Sequence, residues 1–171
     1  EGLTAVASSS RRDFTLERWL SWFETLHPKK IDLTLDRVIA MLERVKLKPP
    51  PYEVITVAGT NGKGSCVAML ESIYWHAGFD VGTFTSPHLV DYRARIRLDG
   101  ARVSEASLVA AFERIADALA GDSLTFFEFN TLAALLVFET WAPDAIVLEV
   151  GLGGRLDAVN IVDADVAVVV S

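Results

Sequence analysis

Residues Val54-Ile55-Thr56-Val57-Ala58 run without a break into Gly59-Thr60-Asn61-Gly62-Lys63-Gly64-Ser65. The first segment is a short, mostly β-branched strand. The second is a glycine-rich turn carrying one lysine and ending on a hydroxyl. A strand that passes through such a turn into a helix is the opening of a parallel βα unit, so this stretch alone directs the chain toward an α/β architecture. The same order of parts cradles nucleotide phosphates. Glycines let backbone N–H groups converge on phosphate oxygens, the lysine adds a point charge, and a hydroxyl at the helix start can sit on Mg²⁺. A plain turn with an exposed lysine is the competing reading, and the strand before and helix after weigh against it. The string departs from the common G-x-x-x-x-G-K-[ST] pattern. Val57 stands at its first glycine, and Gly64 separates Lys63 from Ser65. A variant loop of this kind points to a particular branch of ATP users.

The chain has 171 residues, enough for one domain with a sizeable core, and 51% of them are hydrophobic. Sixteen basic and 23 acidic residues give a net charge of −7. That balance argues against nucleic acid or an anionic membrane as the main partner. A single cysteine, Cys66, excludes an internal disulfide and fits a reducing, cytoplasmic setting. No apolar run approaches the roughly 18 residues of a membrane span. The start, Glu1 to Ser10, lacks the basic and apolar regions of a signal peptide, and 1–13 is expected to be a disordered leader. Val168-Val169-Val170-Ser171 reads as the middle of a buried strand, so the chain is expected to be part of something longer.

Leu16, Trp19, Leu20, Phe23 and Leu26 recur at helical spacing behind Thr15, a cap candidate. Asp36 opens a second helical pattern, which Pro49-Pro50-Pro51 stops before a strand at about 54–58. A helix at about 65–77 ends at Gly78, and a strand at about 80–85 runs into Ser86-Pro87-His88. Residues 92–98 alternate as a half-buried strand turned by Asp99-Gly100. Helices at about 105–120 (capped by Ser104) and 128–141 precede strands at about 144–150 and 165–170. The layout is doubly wound α/β with a mostly parallel sheet and flanking helices. Ligands in such sheets sit at the carboxyl ends of the strands. Gly59–Ser65, Ser86-Pro87-His88 and Glu149–Arg155 all fall there, so three distant segments are expected to share one crevice.

Glu149, at the tip of the apolar run Ala145–Leu148, is a candidate Mg²⁺ ligand, against the alternative of a charge that caps a strand. Ser86 follows the second strand and is a second candidate ligand, although a serine before proline is often a turn residue. His88 is open between ligand, substrate contact and turn. Gly151-Leu152-Gly153-Gly154-Arg155 lets backbone approach a ligand, or is a flexible turn. Arg93, Arg95 and Arg97 are expected on one solvated strand face. Trp19 and Trp22 are read as core packing, Cys66 as a small packing residue and His27 as a helix-end residue. Phe126-Phe127, between Thr125 and Glu128 just before a helix, suits a flat heteroaromatic partner, although composition alone favours the core.

These segments resemble the amino-terminal part of the bifunctional dihydrofolate synthase/folylpolyglutamate synthases, within the Mur ligase superfamily. The resemblance rests on Leu26-His27-Pro28-Lys29-Lys30-Ile31-Asp32-Leu33, Val57 to Ser65, Thr85-Ser86-Pro87-His88-Leu89, Leu124-Thr125-Phe126-Phe127-Glu128 and Leu148 to Ala158. It covers about residue 14 to the end. It implies a P-loop-type ATPase domain of Mur-ligase kind, truncated, over 14–171, without the carboxyl-terminal glutamate ligase domain. Gly59, Thr60, Asn61, Gly62, Lys63, Gly64 and Ser65 would hold ATP, with Lys63 catalytic. Ser86 and Glu149 would bind Mg²⁺. Asp32, Leu33, Thr34, Leu35, Thr125, Phe126, Phe127, Glu128, Leu156, Asp157 and Ala158 would form the dihydropteroate pocket, so at least one ring of Phe126-Phe127 would contact the pterin. The partners implied are ATP, dihydropteroate or folate, and L-glutamate, with no nucleic acid or membrane and a monomeric complete protein.

The resemblance implies ATP-driven amide formation through an acyl phosphate. Val159 departs from the family's usual threonine, a change expected only to adjust packing. The family's next Mg²⁺-ligand histidine and its carbamylated lysine would come after Ser171, so this stretch alone is expected to be inactive. A cell-wall Mur ligase and a catalytically silent nucleotide- or pterin-binding module are the alternatives.

Overall fold

The computed structural model describes residues 11, 13–26, 34–86 and 91–171. The expectations for most of the leader and for His27, Asp32, Leu33 and His88 lie outside the described residues.

Six strands form one sheet in the order β4-β3-β2-β5-β1-β6: β1 Glu53–Gly59, β2 Val81–Phe84, β3 Ile96–Leu98, β4 Ala101–Arg102, β5 Ala145–Glu149 and β6 Val166–Val170. The four strands β2, β5, β1 and β6 run parallel, and β3 and β4 add an antiparallel edge. The helices are α1 Leu16–Phe23, α2 Asp36–Arg44, α3 Lys63–His76, α4 Glu105–Ala118 and α5 Phe126–Trp141. Alternation along the central strands divides the core in two. Ile55, Val57, Val81 and Val147 pack with Val67 of α3 on one face. Val54, Phe84, Ile146 and Leu148 meet the other helices on the opposite face, around the aromatic cluster Trp19, Phe23, Phe112 and Phe129. Trp19 is thus core, as expected, and Cys66 packs beside the smaller cluster.

Local chemistry sets the element ends. Thr15 and Ser104 cap α1 and α4 by accepting from the amides of Arg18 and Ser107. Asp99 and Gly100 both have positive φ and close the β3–β4 hairpin.

Three expectations change. Residues 92–98 are not one strand: Asp91 accepts the Arg93 amide and opens a 3₁₀ turn, Tyr92–Arg95, before β3. The three arginines therefore share no solvated face. Arg93 and Arg102 pair with Asp91, and Arg97 pairs with the buried Glu71, which also accepts from the Thr83 hydroxyl at 3.2 Å. Arg95 is buried. Next, α5 begins at Phe126, so the aromatic pair forms its first turn rather than preceding it. Finally, within these 171 residues β6 is not covered on both sides: among the described strands it pairs with β1, and Val169 is 81% accessible.

Candidate active site

The phosphate loop leaves β1 at Gly59 with φ +140°, and a Cβ there would lie 1.9 Å from the Val170 carbonyl oxygen. No side chain fits, because the loop presses against the end of β6. Gly62, at φ +79°, caps α3 without supplying a side-chain acceptor. The first amides of α3 therefore have no side-chain cap and point along the helix dipole, which favours an anion. Thr60, Asn61, Gly64 and Ser65 are exposed around this turn. The Lys63 ammonium folds back and donates to the Gly59 carbonyl at 2.8 Å, bringing its charge over the loop.

Parallel pairing places the other segments. Val57 is in register with Glu149, so the tip of β5 ends beside the loop. Phe84 is in register with Leu148, which brings the end of β2 to the same point. There the Ser86 amide donates to Glu149 Oε2 at 2.9 Å. Glu149 is only 4% exposed. Burial pushes its carboxyl above the ordinary value, opposed by the Ser86 amide and by the charges of Lys63 and Arg95. A desolvated carboxylate beside a serine is an oxygen donor set that fits a hard divalent cation. Among the described residues no cluster of three His, Cys, Asp or Glu could hold a metal, so Ser86 and Glu149 would furnish only part of a coordination shell.

Several residues of the expected pterin segments lie around the start of α5, and some of them hold the local backbone in shape. Thr125 and Glu128 form a reciprocal capping box: Thr125 Oγ1 accepts the Glu128 amide at 3.2 Å, and Glu128 Oε2 accepts the Thr125 amide at 2.7 Å. Glu128 also pairs with Arg37 of α2, Nη2 to Oε1 at 2.8 Å. Both residues are buried and occupied in shaping the helix start. Asp157 is likewise buried. Its Oδ2 accepts the Gly151 and Leu152 amides at 3.0 and 2.9 Å, and its Oδ1 accepts the Val159 amide at 3.1 Å. It builds the glycine loop, and burial pushes its carboxyl up against those bonds. Phe127 closes the junction from the other side: a Cβ on Gly151 would lie 2.6 Å from its ring. Phe126 and Phe127 are half-buried, Ala158 is buried and Leu156 is exposed. Thr34 Oγ1 accepts the Asp36 amide at 3.3 Å, and Leu35 caps α2.

Sequence reasoning missed Arg37 and Arg95. Arg37 could have been sought once T-x-x-E at Thr125–Glu128 was read as a capping box whose buried acid needs a cation. Arg95 had no signal, because its pattern is common to strands.

The sheet, the loop at the β1–α3 junction and the acid on the neighbouring strand define a P-loop-type α/β domain of Mur-ligase kind. No family model matches the chain. The dihydrofolate synthase/folylpolyglutamate synthase of Escherichia coli K12 is 54% identical over 157 residues, 91% of this chain and 37% of that protein. E. coli FolC in complex with DHPP and ADP superposes with TM-score 0.88 at 52% identity, over 92% of this chain and 38% of that one. A bifunctional folylpolyglutamate synthase/dihydrofolate synthase with Mn, AMPPNP and L-glutamate bound gives TM-score 0.85 at 47% identity, over 92% and 38%. Over 91% of its own length the chain is similar to the amino-terminal part of the dihydrofolate synthase/folylpolyglutamate synthases. It spans less than two fifths of the length of these relatives. The cell-wall and silent-module alternatives are not favoured. Among the described residues, no helix is long and apolar enough to cross a membrane.

Proposed function

We propose that this chain supplies the nucleotide and pterin half of an ATP-dependent ligase that joins L-glutamate to dihydropteroate and to folates. The observation that carries the reading is the Ser86–Glu149 contact, set by strand register beside the lysine-bearing phosphate loop. Gly59 to Ser65 would hold the ATP phosphates, and Lys63 would place positive charge where charge shifts during phosphoryl transfer. Ser86 and Glu149 would hold Mg²⁺. When bound, the ion screens the phosphate oxygens so that an anionic nucleophile can approach.

The carboxylate of the acceptor attacks the γ-phosphorus, the bond to ADP breaks, and an acyl phosphate results. The amine of glutamate then attacks that carbonyl, phosphate leaves with the bonding electrons, and the amine loses a proton. Phe126 and Phe127 would flank the pterin, with Thr34, Leu35, Leu156 and Ala158 completing the wall. Thr125, Glu128 and Asp157 would act by holding this wall in shape. Asp32 and Leu33 complete the proposed set. The glutamate-binding domain would be supplied by further chain beyond 14–171, in a monomeric, cytoplasmic protein. A second copy is not needed for chemistry of this kind.

The test is Lys63→Ala in the complete protein. Turnover with ATP, dihydropteroate and glutamate is expected to vanish while the circular dichroism spectrum is unchanged. Near-normal turnover would refute the reading.

A further inference from the structure

Arg95 is 8% exposed, an unusual position for a guanidinium, and it does not belong to the phosphate loop, the Ser86–Glu149 pair or the pterin wall. Its surroundings nevertheless reach the pterin wall and the segment beside Ser86. The guanidinium carbon lies 5.6 Å from the centroid of the Phe126 ring and 6.0 Å from that of Tyr92. Its charge, like that of Lys63, favours the ionised form of Glu149. Its backbone carbonyl accepts the Thr85 amide at 2.8 Å, one residue before Ser86. Tyr92 is fixed in turn, its hydroxyl donating to Asn130 Oδ1 at 2.6 Å. The neighbouring Arg97 makes the contrast. It ties α3 to β3 through Glu71, away from the crevice, and so serves the fold. Arg95 instead lies against the aromatic wall.

We propose that Arg95 is a positioning residue: its guanidinium fixes the Phe126 ring against which the acceptor's heteroaromatic system packs. This rests on the ligase reading above. A cation and a plane are different requirements. Lysine satisfies the first and not the second, because an ammonium offers no planar face. Methionine satisfies neither and keeps much of the volume.

The experiment uses the complete protein with Arg95→Lys and Arg95→Met. It measures dihydropteroate binding by calorimetry, Mn²⁺ binding in the presence of ADP by electron paramagnetic resonance, and the KM for glutamate. Arg95→Lys is expected to hold Mn²⁺ within about twofold of wild type and to bind dihydropteroate about threefold more weakly, because the ammonium keeps a cation–π attraction but loses the planar stacking face. Arg95→Met is expected to weaken dihydropteroate binding by about tenfold and to leave Mn²⁺ binding within about twofold of wild type. The glutamate KM stays unchanged in both. Phe126→Leu supplies a second route if the methionine variant does not fold. It is expected to weaken dihydropteroate binding as Arg95→Lys does, and the double variant is expected to be no worse than either alone. Wild-type dihydropteroate affinity in Arg95→Lys, additive losses in the double variant, or a uniform fall in kcat with both ligands bound normally would overturn the positioning role. Wild-type protein that binds neither nucleotide nor dihydropteroate would instead overturn the ligase reading, and the role of Arg95 with it.

Discussion

Replacing Arg37 with alanine removes the guanidinium that pairs with the buried Glu128 carboxylate. The two side chains differ sharply in burial: Glu128 is 3% exposed and Arg37 26%. After the substitution the carboxylate keeps the Thr125 amide at 2.7 Å and loses the guanidinium that donated to both its oxygens. Breaking a buried pair by taking one member costs about 3–5 kcal/mol, and the partial exposure of Arg37 places this case near 3. The reverse deletion is milder. Glu128→Gln keeps an oxygen for the Thr125 amide, and the half-exposed guanidinium can turn to water, so about 1 kcal/mol is expected. The double variant should therefore be more stable than Arg37→Ala alone, since it no longer buries an unpaired charge. Urea unfolding followed by tryptophan fluorescence measures all three, with Trp19 fully buried in the core that α1 shares with α4 and α5. If Glu128→Gln proves as costly as Arg37→Ala, or the double variant is the least stable of the three, the desolvation argument is wrong. Glu128 would then be acting by some route other than its capping box and ion pair.

Glycine requirements at the two ends of the phosphate loop should separate. Gly59→Ala meets the Val170 carbonyl at 1.9 Å with φ +140°, whereas a Cβ on Gly64 meets nothing within 4 Å. A loss of at least about 3 kcal/mol in urea unfolding is expected for the first and less than about 1 kcal/mol of change for the second, and equal stabilities would refute the packing account. Acid stability has a separate source at Asp91. The Arg93 side chain and amide, with Arg102, hold its carboxyl at about 2 against an ordinary 3.8. A depressed acid stabilises the fold above the unfolded value and loses that contribution as pH falls from 3.8 toward 2. Asp91→Asn should flatten the acid limb of the stability curve by about 1 kcal/mol or less, because these surface pairs are screened. An unchanged slope between pH 4 and about 2 would show that the pairs contribute nothing.

The chain announced its architecture through features that are local. A β-branched run, a glycine turn and a helix give the βα unit at Val54–His76 because each state is set by nearest neighbours, and Thr15, Ser104 and Asp99-Gly100 marked element ends for the same reason. Strand tips carrying Ser86 and Glu149 could be sent to one crevice from the topology rule alone, and the register places them in contact at 2.9 Å. The resemblance named the residues around the pterin segments, but it did not say what each one does. Thr125, Glu128 and Asp157 turned out to be held by backbone amides, a fact that depends on where the chain folds back on itself.

Long-range partners were the part that only tertiary structure could decide. The alternation from Tyr92 to Leu98 fits a strand as well as a 3₁₀ turn followed by one, and the Asp91 cap selects the second. That choice separates three arginines into three environments: a surface pair, a buried site beside Phe126 and Tyr92, and an ion pair with α3. In the same way, only the strand order shows that Val166 to Val170 pairs in parallel with β1. Propensity and turn chemistry act over a few residues and can be read along the chain. Charge pairing, burial and strand order act between residues tens of positions apart, and they exist only once the sheet has assembled.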